Sequence, residues 1–183
     1  MRFPDGSEVE GPALPTGEPF ALRYHTGPVE VRPVAGDWTA RLSELAGYDV
    51  QLVRPGGVGE TLDAPVTLVS SASVARLERE AGRTIDPRRF RMLFDLGGCD
   101  PHEEDEWEGR SVRIGEAVVR PTLAVERCAV TTRDPETGRR DLDTLHLIRG
   151  YRSPRGEVEI PFGMLAEVEA PGRVRVGDPV EPL

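Results

Sequence analysis

Short alternating apolar segments, broken every few residues by glycine or proline, run along most of this chain, and helical spacing appears at only three places. Residues 1–36 carry too many breakers for helix, Pro12, Pro15, Gly17 and Pro19 among them, and read as short extended pieces between turns. Asp37 reads as an N-cap. Trp38, Leu42 and Leu45 follow at helical spacing and Gly47 supplies a stop, which predicts a helix over 37–46. Residues 50–54 and 66–69 read as strands. The second runs into Ser70-Ser71-Ala72-Ser73 and a helix over 71–81, with Val74, Leu77 and Ala81 on one face and Gly82 at its end. Residues 88–96 alternate, with Phe90, Met92, Phe94 and Leu96 on one face and Arg89, Arg91, Leu93 and Asp95 on the other, and are predicted as one strand. Residues 111–120 read as two short strands bent at Gly115, and 122–132 as a longer one. Asp134-Pro135-Glu136-Thr137-Gly138 is a tight turn. Asp141 reads as the cap of a helix over 142–149 ended by Gly150, and strands over 158–168 and 174–180 close the chain. The pattern predicts a mainly β fold with a few short helices: a closed or partly open barrel with the helices packed outside it.

Composition narrows the chemistry. At 183 residues the chain is one domain, or one domain with a fragment of another. The net charge of −9 repels a phosphate backbone, so nucleic acid is not an expected partner, although a local arginine cluster can still hold a small anion. The sequence contains no lysine; every basic side chain is arginine. That excludes pyridoxal phosphate held as a Schiff base, and it excludes a Walker-type phosphate loop at Gly56-Gly57-Val58-Gly59, which reads as a flexible turn. No apolar run approaches the roughly 20 residues of a membrane span, and the start does not resemble a signal peptide. No membrane association and a cytoplasmic location are therefore expected. Two cysteines, Cys99 and Cys128, do not make a disulfide framework.

The residues alone leave the candidate site open. Cys128 is either a small buried apolar side chain in its strand or a thiolate favoured by Arg127 and suited to a soft metal. Arg89 and Arg91 are either a solvated strand face or two guanidiniums converging on a phosphate. The serines at 70–73 are helix caps, or they surround an anion at the helix N-terminus. Cys99 and His102 resemble half of a zinc site, but no second pair stands at a matching spacing. The three histidines form no recognisable catalytic triad.

The segment Glu126-Arg127-Cys128-Ala129-Val130-Thr131-Thr132-Arg133-Asp134-Pro135-Glu136-Thr137-Gly138 resembles the signature of the MOSC family, named for the C-terminal domain of molybdenum cofactor sulfurase. Further stretches match in order: Leu68-Val69-Ser70-Ser71-Ala72-Ser73, Arg89-Phe90-Arg91, Gly98-Cys99-Asp100, Glu104-Asp105 with Trp107, Ile114-Gly115, and the closing Gly172-Arg173-Val174-Arg175-Val176-Gly177-Asp178-Pro179-Val180. The likeness covers roughly residues 40–183. Met92-Leu93 departs from the Pro-Asn that family members commonly carry after the arginine.

The resemblance implies a MOSC-type β-barrel over 49–183, with residues 1–48 a remnant of the family's N-terminal β-rich region. It implies a molybdenum cofactor with Cys128 as the metal ligand and catalytic residue. Arg89, Arg91, Ser70, Ser71, Arg127, Thr131 and Thr132 would surround the pterin and its phosphate. The implied activity, by analogy with the mitochondrial amidoxime-reducing members, is reduction of N-hydroxylated or similar oxygenated small molecules, with electrons from a separate donor protein. A non-catalytic carrier of the cofactor or its sulfur, and a degenerate barrel binding another small molecule or protein, are the alternatives.

Overall fold

The computed structural model describes residues 1–3, 5–24, 27–56, 64–152 and 159–183. Most of the turn expected at 56–59 lies outside the described residues, as does Val158. The chain divides into two compact units, Met1–Asp63 and Ala64–Leu183.

In the first unit, β1 (Phe20–Tyr24), β2 (Gly27–Pro33) and β3 (Val53–Pro55) form an antiparallel sheet in that order. Helix α1 (Asp37–Ala46) lies between β2 and β3 in sequence. Its N-cap is Gly36 rather than the expected Asp37, which is instead the first helical residue. Gly47 ends it in the left-handed conformation that a residue with a Cβ avoids, and donates its N–H to Ser43 O.

The second unit is a six-stranded sheet in the order β5-β4-β8-β7-β6-β9. Its strands are β4 (Val66–Ser70), β5 (Phe94–Leu96), β6 (Val112–Ile114), β7 (Ala117–Glu126), β8 (Pro161–Ala170) and β9 (Val180–Pro182). All neighbours are antiparallel except β4 and β5. A parallel pair needs a crossover. Helix α2 (Ser71–Ala81) lies in the segment connecting these two strands. The fold is mainly β, and the sheet curls into a half-barrel. Its edges face each other across a cavity of about 510 Å³ lined by Phe94, Leu96, Ile114, Val174 and Val180, without β5 pairing to β9.

The curl gives the unit two apolar clusters. Leu68, Leu96, Val112, Ile114, Val119, Met164 and Ala166, one or more from most strands, pack with Trp107 inside the curl. On the other side, Val69 and Phe162 meet Val74 and Leu77 of α2, Phe90, and Ile148 of α3 (Thr144–Arg152). Leu68 and Val69 thus show the period-2 alternation of a strand with both faces covered. Among the described residues, no helix is long and apolar enough to cross a membrane.

Four expectations are corrected. Residues 88–96 are not one strand: Asp86 caps a 3₁₀ turn, Pro87–Phe90, by accepting from Arg88 N at 2.9 Å, and β5 begins only at Phe94. A proline at the first turn position is preset for helical φ, and it overrides the alternation. Residues 122–132 are not one strand either, because β7 ends at Glu126 and Ala129–Thr132 wind into a 3₁₀ turn. Helix α3 starts after Asp143, whose Oδ1 accepts from His146 N, and runs through Gly150 to Arg152; Asp141 is committed elsewhere. The last strand lies at Val180–Pro182, with Arg175 to Asp178 forming a turn instead.

Candidate functional site

The 3₁₀ turn after β7 organises the site. Cys128 is its N-cap; its carbonyl accepts from Thr131 N at 3.2 Å and from Thr131 Oγ1 at 3.1 Å. Thr131 Oγ1 also lies 2.7 Å from Thr144 Oγ1, which ties the turn to the start of α3. Thr132 Oγ1 donates to Ala129 O, and Thr132 O accepts from Asp141 N. Both threonines are buried, so they brace the turn, whereas Cys128 is an exposed free thiol.

Arg127 points the opposite way. Its Nε donates to Phe162 O at 2.8 Å, Nη1 to Phe90 O at 2.9 Å, and Nη2 contacts Met92 Sδ and Phe162 O. Its guanidinium stacks over the Phe90 ring at 5.5 Å. Burial pulls this guanidinium down to about 10, with the neighbouring Cys128 side chain acting the other way. Arg127 therefore stitches the end of β7 to β8 and to the loop at 90–92. Gly163 lies beside it: a Cβ there would stand 3.4 Å from Arg127 Nη2.

Arg89 and Arg91 are brought to one cavity by a route other than strand alternation. The cavity, about 350 Å³, is lined by Arg88, Arg89, Arg91, Arg133, Val130 and the Asp134-Pro135 turn. Arg89 is buried, and its Nη2 lies 2.8 Å from Asp141 Oδ2 and 3.8 Å from Asp134. Its Nε and Nη1 have no partner among the described residues. Arg91 takes the left-handed conformation, φ 52°, which ends the turn and leaves its side chain exposed and without an ion pair among the described residues. Such a conformation is uncommon for a residue with a Cβ, and strain of this kind concentrates at functional sites. Arg88 is committed to Asp86 and Glu136, and Arg133 donates to Gly138 O. The arrangement suits a small anion: four guanidiniums in one wall, of which Arg89 and Arg91 retain free donors.

The serine junction stands apart from that cavity. Ser70 caps α2, its Oγ accepting from Ser73 N at 3.0 Å. Ser70 N donates to Glu104 Oε1 at 3.1 Å, as does Ser73 Oγ at 2.8 Å. A buried carboxylate from the acidic loop, the run Glu103-Glu104-Asp105-Glu106 between β5 and β6, thus occupies the position that the helix N-terminus offers an anion. Ser71 is exposed and donates to Asp95. Glu104 is the participant that sequence reasoning missed. Its place in a run of four acids reads as solvated loop, and only the 3₁₀ turn Glu103–Trp107 turns it inward. Burial, then the carboxylates of Glu104 and Glu103, push the Cys99 thiol up. Burial, with Arg152 adding to it, pulls the His102 imidazole down to about 4.

Relatives place these features in context. The chain is 34% identical over 124 residues to the mitochondrial amidoxime reducing component 2 of Rattus norvegicus, and 33% over 125 residues to the mitochondrial amidoxime-reducing component 1 of Homo sapiens. Each match covers 64% of this chain and 36% of the relative, so the chain spans about a third of the length of the curated relatives it matches. Among solved structures, YiiM from Geobacillus stearothermophilus aligns with a TM-score of 0.48 and 16% identity, over 93% of this chain and 73% of that one. The family model described as the MOSC domain matches residues 23–181, and the chain belongs to the MOSC domain family.

Proposed function

We propose that this protein binds a molybdenum cofactor and reduces N-hydroxylated or similarly oxygenated small molecules, drawing electrons from a separate donor protein, in the cytoplasm. One observation carries the reading: a buried arginine with two unsatisfied donors lines a four-arginine cavity, and Val130 and Arg133 to Pro135, a few residues after the exposed Cys128, line it too, although Cys128 itself does not. Desolvated N–H groups without partners are costly, and an anion is the ligand that satisfies them. The residues present therefore fit the cofactor's phosphate at Arg89 and Arg91, and they fit its metal at Cys128, since a thiolate is the soft donor molybdenum takes. When bound, the cofactor supplies a two-electron redox centre. Arg127, Thr131 and Thr132 would hold the Cys128 turn in place, and Ser70 and Ser71 would fix the junction between β4 and α2. The relatives named as amidoxime-reducing components support the choice of reaction class.

A second reading, a carrier that passes the cofactor or its sulfur to another protein, draws support from the exposure of Cys128. Production in a cofactor-making host, followed by molybdenum and pterin analysis, tests the proposal. Wild type and Cys99→Ala should carry both, and Cys128→Ala should lose the metal. Donor-linked turnover of a hydroxylamine-type compound then separates reductase from carrier. A wild type free of molybdenum and pterin, beside a relative that loads fully, would overturn cofactor binding.

A further inference from the structure

The acidic loop carries a group of side chains that the cofactor reading does not use. His102, Glu104 and Asp105 each present one potential ligand atom, and these atoms all lie within 4.8 Å of one another. Each keeps an unsatisfied atom after its protein contacts are counted. Glu104 is fully buried; its Oε1 accepts from Ser70 N and Ser73 Oγ, while Oε2 has no partner among the described residues. Asp105 receives Arg152 Nη2 on Oδ2 at 2.5 Å and keeps Oδ1 buried and unpartnered. His102 sits in the left-handed conformation at φ 66°, and both its ring nitrogens are buried without a partner among the described residues.

Four buried, unpaired donor or acceptor atoms on three neighbouring residues are more than a native interior leaves unexplained. Mutual hydrogen bonding is not a remedy for the two carboxylates, because ionised oxygens only accept. The two carboxylates outnumber the one arginine bonded to them, and that excess of negative charge favours a cation. Bonds of about 2.0–2.2 Å place ligand atoms roughly 3–4 Å apart, so the ligand atoms, which lie within 4.8 Å of one another, would draw together on binding. One imidazole nitrogen with two carboxylate oxygens is an intermediate donor set, matched to first-row divalent metals rather than to Mg²⁺ or Ca²⁺. Arg152 orients Asp105, and Ser70 and Ser73 orient Glu104, as outer partners orient metal ligands elsewhere.

We infer that His102, Glu104 and Asp105 form a site for one divalent first-row metal ion, Zn²⁺ by donor set, which ties the N-terminus of α2 to the end of α3. The site is independent of the molybdenum cofactor and shares no residue with its proposed contacts other than through the Ser70 cap.

The test is calorimetric titration of the chelator-stripped full chain with Zn²⁺, alongside thermal melting, in the wild type and in a Cys128→Ser background that removes the exposed thiol. One equivalent should bind in both, with a raised melting temperature, while Mg²⁺ does neither. His102→Phe keeps a ring against Tyr151 and Phe162, whose centroids lie 5.6 and 5.7 Å from that of His102, and should lose affinity at least about ten-fold, as should Asp105→Asn. If His102→Phe does not fold, Asp105→Asn decides alone. Absence of Zn²⁺ binding in the wild type, or affinity unchanged in the variants, or binding lost only with Cys99→Ser or Cys128→Ser, overturns the site.

Discussion

Nη2 of Arg89 lies 2.8 Å from Oδ2 of Asp141, while Nε and Nη1 of the same buried guanidinium have no partner among the described residues. An arginine kept for stability would have its fork satisfied. One kept for a ligand carries a cost in the empty protein. Arg89→Met should therefore cost no more than about 2 kcal/mol, because the guanidinium's desolvation penalty disappears while its partner Asp141, which is partly exposed, can turn to water. The same variant should weaken binding of inorganic phosphate, used as an anion probe, by about ten-fold or more, the worth of charge-assisted hydrogen bonds. Urea unfolding and phosphate titration on one preparation check both. A variant that is strongly destabilised and still binds phosphate normally would mark Arg89 as structural.

Acid should weaken this part of the fold. Hydrogen bonding from Arg89 holds the Asp141 carboxyl below its usual range, and N–H and O–H donation from Thr137 does the same for Asp134. Side-chain bonding from Arg88 lowers Asp86 likewise. With the folded value depressed, the unfolded chain takes up protons first as the pH falls. The stability from these groups is then complete above about 4, the ordinary carboxyl value, and is lost below it. The unfolding midpoint should fall as the pH drops below about 4, and Asp141→Asn should make that fall shallower. An identical slope in wild type and variant would show that Asp141 contributes nothing to it.

The readable features were those with a strong local cause. Ser70 before an apolar helical stripe and Gly82 after it define α2 to the residue, and the many short strands predict the curled sheet. At the site, alternation was the wrong period for residues 88–96, because Pro87 and the Asp86 cap wind a turn locally. Arg89 and Arg91 still meet in one cavity, but through a turn and a left-handed residue that no alternation pattern encodes. Glu104 was illegible for another reason. Its burial depends on Ser70 and Ser73, more than thirty residues away in sequence, so nothing near it signals an inward carboxylate.

The two thiols should differ sharply in reactivity. Cys128 is exposed, whereas Cys99 is half-buried and its thiol is pushed up by burial and the carboxylates of Glu104 and Glu103. The thiolate is the reacting form, so iodoacetamide at neutral pH should label Cys128 at least about ten times faster than Cys99. Peptide mass spectrometry over a time course reads the ratio, and equal rates would contradict the placement of both residues.

Gly163 should tolerate no side chain. At φ 81° its backbone is in the left-handed region, and a Cβ would stand 2.6 Å from Leu68 O and 2.7 Å from Met92 Cε. The Leu68 carbonyl belongs to β4 and cannot retreat without breaking the sheet; Met92 Cε is the end of a flexible side chain and can. The left-handed conformation alone costs an alanine about 1 kcal/mol, and overpacking adds about 1–3 kcal/mol. Gly163→Ala should therefore destabilise by about 2–4 kcal/mol in urea unfolding. The two contacts can be separated. In a Met92→Ala background the methionine clash is gone and the carbonyl clash remains, so the added cost of Gly163→Ala should shrink by about 0.5–1 kcal/mol but not vanish. A cost that disappears with Met92 would place the whole conflict on the side chain and none on the β4 backbone. Because Arg127 Nη2 contacts Met92 Sδ and Phe162 O beside this glycine, the alanine should also disturb Arg127, and with it the turn that presents Cys128. Faster proteolytic cleavage between residues 127 and 135 in Gly163→Ala than in wild type is the expected sign, measured at a urea concentration where both variants remain folded.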